Sequence, residues 1–269
     1  MSTDRTGAAQ LNRLVELGLS VRLLPPLRDI DEPADAAAVA YAHPRLGFSR
    51  RYREIVDHRA RQPADRVFDH AYAGAPLEVE RSADPPLRVD VDRWSGVADD
   101  VDRLILSRCE PPVLDLGSGP GRMVRALTES GRSALGVDIS AQAVSASMRQ
   151  GALALRARIE DPLPAEGRWG TVLLMDGNVG IGGNVADLLA RCRQLVAPGG
   201  LIICEVDPVG ARHDREIVVL RSRSTASMPL AWSRIGAAAL VEVAAGLDLW
   251  TAEEWSAGDR AFVSLRRGL

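Results

Sequence analysis

VLDLGSGPGR, residues 113–122, joins a short apolar strand to a loop in which glycine recurs at 117, 119 and 121 behind Asp115. Glycine there permits a tight turn and lets a ligand approach the backbone without a Cβ in the way. The loop then enters RMVRAL, a helix start whose free N–H groups favour a negative group. Taken alone, the stretch specifies a strand, a ligand-accessible loop and a helix, which many nucleotide-type folds share.

Working outward, the pattern continues as alternating strands and helices. TESG closes the first helix, SALGVDI is a strand, SAQAVSASMRQG a helix and LALRARIE a strand, followed by TVLLMD, NVADLLARCRQLVAPGG and LIICEVD. Short apolar strands separated by helices predict a parallel sheet covered on both faces, with right-handed crossovers. Near the end, PLAWSRIGAAALVEVAAG reads as a helix, and LDLWTAEEW and RAFVSLRR flank a short Ala257-Gly258-Asp259 turn, so those two strands must be antiparallel. Upstream, LEVERSADPPLRVDV reads as a β-hairpin about Asp84-Pro85-Pro86, and ADDVDRLILSRC as a helix opening with acidic residues.

Four positions stand out around the loop. A dinucleotide fingerprint, G-x-G-x-x-G, would need glycine where Arg122 stands. Asp138 closes LGVD, 21 residues past Gly117, where a carboxylate can accept hydrogen bonds from two ribose hydroxyls; its bland reading is a helix cap, a task Ser140 already fills. RIEDPLP offers Glu160 and Asp161 at the third strand's end, and Asp176-Gly177-Asn178 follows the fourth. Asn184 with Asp187 reads as a capping box, and Pro198-Gly199-Gly200 as a helix stop and turn.

In this order and at these distances the motifs resemble those of class I, Rossmann-like S-adenosylmethionine-dependent methyltransferases over residues 113 to 266. The resemblance implies a doubly wound α/β fold with a mostly parallel seven-stranded sheet and an antiparallel last strand. It implies S-adenosyl-L-methionine as cofactor, held by Asp115, Gly117, Ser118, Gly119 and Gly121 of the loop and by Asp138 and Ile139. Glu160 or Asp161 would meet the adenine, with Asp176 and Gly177 facing the methionine part and Tyr72 covering the cofactor. Asp176 and Asn178 become the candidates for the reaction centre, and the activity implied is methyl transfer to a small-molecule acceptor by in-line displacement.

The first 65 residues do not share this pattern and are expected to form an extension and linker, with a methyltransferase domain over 66–269, its cofactor half at about 110–207 and its terminal helix and strands at 229–267. Within the extension, residues 7–19 read as a helix, VRLLP as a strand, and RTGAAQ and LGLSVRLLPPLRDIDEPADAAAVA resemble the closing segment of GT-A type glycosyl- or nucleotidyl-transferases through Asp29, Asp31, Pro33 and Asp35. That resemblance implies a fused remnant or docking element.

Composition narrows the function further. The net charge is −3 and all 33 basic residues are arginine, which gives no basic footprint for nucleic acid. No apolar run is long enough to span a bilayer, the charged N-terminus lacks an export signal, and Cys109, Cys192 and Cys204 form no CxxC pair, so a cytoplasmic location, buried reduced thiols and no metal are expected. The acceptor is expected over the strands' carboxyl ends, beneath a lid built from residues 50 to 75 and 208 to 236, with Arg221, Arg223 or Arg234 as candidates for an anionic acceptor. Asp176, His70 and His213 are the candidate bases, while His43 and His58 read as structural. Two other functions compete: a dinucleotide-dependent oxidoreductase, and a non-catalytic module that binds cofactor or partner.

Overall fold

The computed structural model describes residues 61–81, 85–208, 213–222 and 225–269, together with Arg13, Glu16, Val39, Gly47 and Ser49. Arg13 and Glu16 are helical; the rest of the expected helix at 7–19, the VRLLP strand, the DIDEPAD segment, His43, His58 and Arg223 lie outside the described residues.

A seven-stranded sheet forms the body. In chain order its strands are β3 (Val113–Leu116), β4 (Ala134–Asp138), β5 (Ala154–Arg156), β6 (Trp169–Leu174), β7 (Val196–Val206), β11 (Leu249–Ala257) and β12 (Arg260–Arg267), arranged β11-β12-β7-β6-β3-β4-β5. The five strands from β7 to β5 run parallel, whereas β12 is antiparallel to β7 and β11 to β12. This is the expected doubly wound sheet with a reversed end. All four residues of β3 are buried because helices cover both faces, which is why the central strands lack polar alternation.

The helices are α1 (Arg61–Tyr72), α2 (Val91–Ser95), α3 (Asp100–Ser107), α4 (Arg122–Glu129), α5 (Ala141–Arg149), α6 (Val185–Leu195) and α7 (Ala237–Ala245). Their ends follow the local chemistry. Asp99 and Asp102 make a reciprocal capping box on α3, Ser140 accepts the Ala143 N–H to cap α5, and Asn184 accepts the Asp187 N–H to cap α6. Leu114, Val172, Leu189, Cys192, Ile202 and Val263 belong to one buried cluster between sheet and helices. Cys109, Cys192 and Cys204 are buried free thiols, and burial pushes the first two up to about 12. No helix among the described residues is long and apolar enough to cross a membrane.

A second, antiparallel sheet is built around the expected hairpin. The hairpin of β1 (Leu77–Arg81) and β2 (Leu87–Val89) forms as expected, but β1 also pairs with β8 (Asp214–Ser222), which pairs with β9 (Thr225–Ala226) and β10 (Leu230–Arg234). The expected helix over PLAWSRIGAAALVEVAAG is therefore corrected: Leu230–Arg234 is a strand, and the helix starts at Ala237. Tertiary pairing overrides the local apolar pattern, since Trp232 lies opposite Glu216 and Ser233 opposite Arg215. Likewise LALRARIE contributes only Ala154–Arg156 to the sheet.

Candidate active site

β3 and β6 are parallel neighbours whose outgoing connections lead to opposite sides of the sheet, to β4 and to β7, and the carboxyl ends of strands at such a switch point form a crevice. Here that crevice opens into a cavity of about 620 Å³. The glycine loop, β4's end and the segment after β6 form its floor; α1, α2 and the antiparallel sheet form its roof.

The loop's conformation explains its glycines. Gly119 has φ +53°, and a Cβ there would sit 3.0 Å from the Tyr72 hydroxyl oxygen, so α1 rests directly against bare backbone. The Gly119 N–H donates to Asp138 Oδ2 at 2.8 Å, and the Ser140 N–H donates to Oδ1 at 2.8 Å. Two of the carboxylate's roughly four acceptor positions are thereby used. Burial pushes the Asp138 carboxyl up to about 6 against the lowering effect of those two N–H groups. Asp115, wholly buried below the loop, is pushed up to about 7 by burial and by the charge of Asp176.

Asn178 lies on the 3-10 turn Asn178–Gly180, and its side-chain amide donates to the carbonyls of Leu116 and Gly117 at 3.0 Å each. A Cβ on Gly117, at φ +71°, would approach that amide nitrogen to 2.5 Å. Asn178 therefore fastens the segment after β6 to the glycine loop. Asp176 has φ +53° without being glycine, and its backbone N–H donates to Glu205 Oε2 at 2.7 Å.

Beneath these residues lies a charge network the sequence did not disclose. Arg122, first residue of α4 and 4% exposed, places Nη2 2.7 Å from Asp176 Oδ2 and Nη1 3.2 Å from the wholly buried Asp102. Arg260 bonds the other Asp102 oxygen at 2.8 Å and holds Glu205 through two bonds of 2.8 and 2.7 Å. Arg93 of α2 comes within 3.7 Å of Asp176. Removing one member of such a buried set leaves its partners' desolvation uncompensated. No spacing rule pairs residues 102, 122, 176, 205 and 260; Arg122 served in the sequence only to exclude a fingerprint, and its location in the same crowded turn was the available signal.

The cavity wall contains Asp115, Gly117, Ser118, Gly119, Asp138 and Ile139, and farther round Glu160, Asp176, Asn178 and Tyr72. Asp161 and Gly177 are not among its lining residues; Asp161 accepts the Arg158 N–H at 2.9 Å within a turn. Gly121 supports the loop from behind, packed against Ser147. Tyr72 lies beside Phe68 and Trp94, with ring centroids 6.3 and 6.2 Å away, and burial followed by the charges of Asp138 and Asp176 pushes its phenol well up. His70 meets the Thr225 hydroxyl, and His213 is exposed; neither lines the cavity. Asp69 of α1 accepts from the Ser140 hydroxyl and the Gln142 N–H, tying the roof helix to the start of α5.

A seven-stranded sheet in this order, with a glycine loop after its central strand and an acid closing the next, is the architecture of class I, Rossmann-like methyltransferases. A family model described as a methyltransferase domain matches residues 89–234. That is more than half of the chain, which belongs to this family. The dinucleotide-oxidoreductase reading is thereby set aside.

Among solved structures, an S-adenosylmethionine-dependent methyltransferase from Bacteroides fragilis in complex with S-adenosyl-L-homocysteine is 21% identical, with 78% of this chain and 97% of that one covered and a TM-score of 0.67. A sugar N-methyltransferase from a Streptoalloteichus species is 14% identical, covering 71% and 97%, with a TM-score of 0.50. At these identities the likeness is one of fold. No curated protein matches the chain in sequence.

Proposed function

We propose that the chain transfers a methyl group from S-adenosylmethionine to a small-molecule acceptor enclosed beneath the antiparallel sheet, with residues 66–269 as the catalytic domain and 1–65 as an extension. One observation carries this reading: the roofed cavity of about 620 Å³ opens directly onto the glycine loop and Asp138, within a methyltransferase-family chain.

The residues present suit that cofactor. Gly117 and Gly119 keep the loop backbone bare, Asp138 retains acceptor capacity for a pair of hydroxyls, and Glu160 and Ile139 offer an acid and an apolar surface for a base. Asp115 and Asp176 place carboxyl groups beside the loop, suited to accepting hydrogen bonds from an ammonium group. The bound cofactor supplies an electrophilic methyl group on a sulfonium. The chain's chief task is then to hold an acceptor nucleophile about 3–3.5 Å away and in line.

Asp176 and Asn178 act in this account by positioning. The Asp176 carboxylate is already held by Arg122, and the Asn178 amide is committed to two loop carbonyls. Tyr72 closes the roof, and its raised phenol stays neutral. An acceptor that needs little help in losing a proton suits such a site.

The test is to incubate the protein with cell extract and S-adenosylmethionine labelled in its methyl group, then find labelled products by mass spectrometry. A small labelled molecule, absent without protein, is expected. Label found only in protein or nucleic acid would refute the small-molecule acceptor. No transferred label from any extract, despite cofactor binding, would favour a non-catalytic module.

A further inference from the structure

The cavity's roof is mainly apolar and carries one charged pair. Strand alternation points Leu77, Val79 and Arg81 of β1 inward with Glu216, Val218 and Leu220 of β8. Phe68, Trp94 and Trp232 add aromatic surface around them. Arg81 Nε faces Glu216 Oε1 across 3.5 Å, and neither of these water-shielded atoms completes a hydrogen bond. Among the described residues neither head group has another partner.

Two of the arginines expected to attract an anion, Arg221 and Arg234, face elsewhere. Arg221 pairs with Glu80, and Arg234 bonds Asp207 at 2.9 Å. Neither lines the cavity.

We propose that this roof is a subsite for an uncharged, flat, mainly apolar acceptor bearing one edge that both donates and accepts hydrogen bonds, and that Arg81 and Glu216 together read that edge. The proposal rests on the other half of the cavity holding S-adenosylmethionine. The ion pair cancels its own charge at the wall: a carboxylate drawn to Arg81 meets Glu216, and an amine drawn to Glu216 meets Arg81. A lactam or amide edge gives its carbonyl to the guanidinium and its N–H to the carboxylate. Flat rings find partners in the surrounding aromatic side chains. A sugar-like acceptor with many hydroxyls would leave most of them unpaired against Leu77, Val79, Val218 and Leu220, at a cost.

The test uses the full chain with saturating S-adenosylhomocysteine, its binding first verified by calorimetry. Three probes of similar size are then titrated: 2-quinolone as the lactam, 2-naphthoate as the anion and 2-naphthylmethylamine as the cation. The lactam is expected to bind ~10-fold or more tightly than either ion, because buried polar groups penalise a ligand that leaves them unpaired. Glu216→Gln should shift the preference toward naphthoate by about tenfold, and Arg81→Gln should shift it toward the amine by a similar factor. Unchanged S-adenosylhomocysteine affinity in both variants verifies that they fold. Binding of either ion to the unaltered protein as tightly as the lactam, or no binding of any probe to the loaded protein, overturns the proposal. Failure to bind S-adenosylhomocysteine at the outset overturns the cofactor reading beneath it instead.

Discussion

Arg122 Nη2 lies 2.7 Å from Asp176 Oδ2, so the first residue after the glycine loop and the second residue past β6 hold each other across the floor of the site. The pair fixes the loop's exit and the strained Asp176 backbone with one contact. Its other partner, Asp102, extends the same constraint to α3.

Arg122→Met should therefore destabilise the protein by about 3 kcal/mol or more, since it leaves Asp102 and Asp176 buried with less opposing charge. Urea unfolding of Arg122→Met, Asp176→Asn and the double variant measures the coupling. The double variant should lose clearly less than the sum of the two single losses. Strict additivity would show that the pair carries no mutual stabilisation.

Gly117 and Gly177 separate backbone strain from steric contact. Both have left-handed φ, +71° and +83°, but a Cβ on Gly117 runs into Asn178 while one on Gly177 has nothing within 4 Å. Gly177→Ala should cost about 1–2 kcal/mol from strain alone. Gly117→Ala should cost about 1 kcal/mol beyond that by displacing the Asn178 bracket. Chemical denaturation of the two variants checks this, and equal losses would remove Asn178 as the loop's fastener.

Cofactor affinity and stability should respond oppositely to pH. Burial raises Asp138 to about 6 and Asp115 to about 7, so the folded chain binds protons that the unfolded chain has already released. These two groups stabilise the fold in full below the ordinary carboxylate range, and that contribution is lost as pH rises through 6 to 7. The ionised Asp138 is also the stronger acceptor. From about pH 5 to about pH 7.5, unfolding free energy contributed by these groups should fall while affinity for S-adenosylhomocysteine rises. Calorimetry across that window decides the second half, and a flat or falling affinity would contradict it.

The parallel body was legible because buried strands and glycine turns leave local marks: VLDL, LGVD and the TVLL of TVLLMD each lie in a strand, and the terminal hairpin reversed as its short turn required. Asp138 was legible for the same reason, at a strand's end beside a helix start. The roof was not. Its strands come from residues 77–89 and 214–234, joined by pairing between distant segments, and Leu230–Arg234 carries a helix-like apolar pattern until β8 claims it. The buried network was hidden for a related reason, because an arginine's burial depends on partners 20 to 158 residues away. Of the two acids in RIEDPLP, only Glu160 reaches the cavity, a choice made by the turn in which Asp161 accepts the Arg158 N–H.

The most direct test of the account is calorimetric titration of the full-length protein with S-adenosylhomocysteine. One site per chain is expected, with a dissociation constant on the order of micromolar, weakened about tenfold or more by Asp138→Ala, in a variant shown to be folded. No heat of binding at millimolar ligand, or binding indifferent to Asp138, would contradict it.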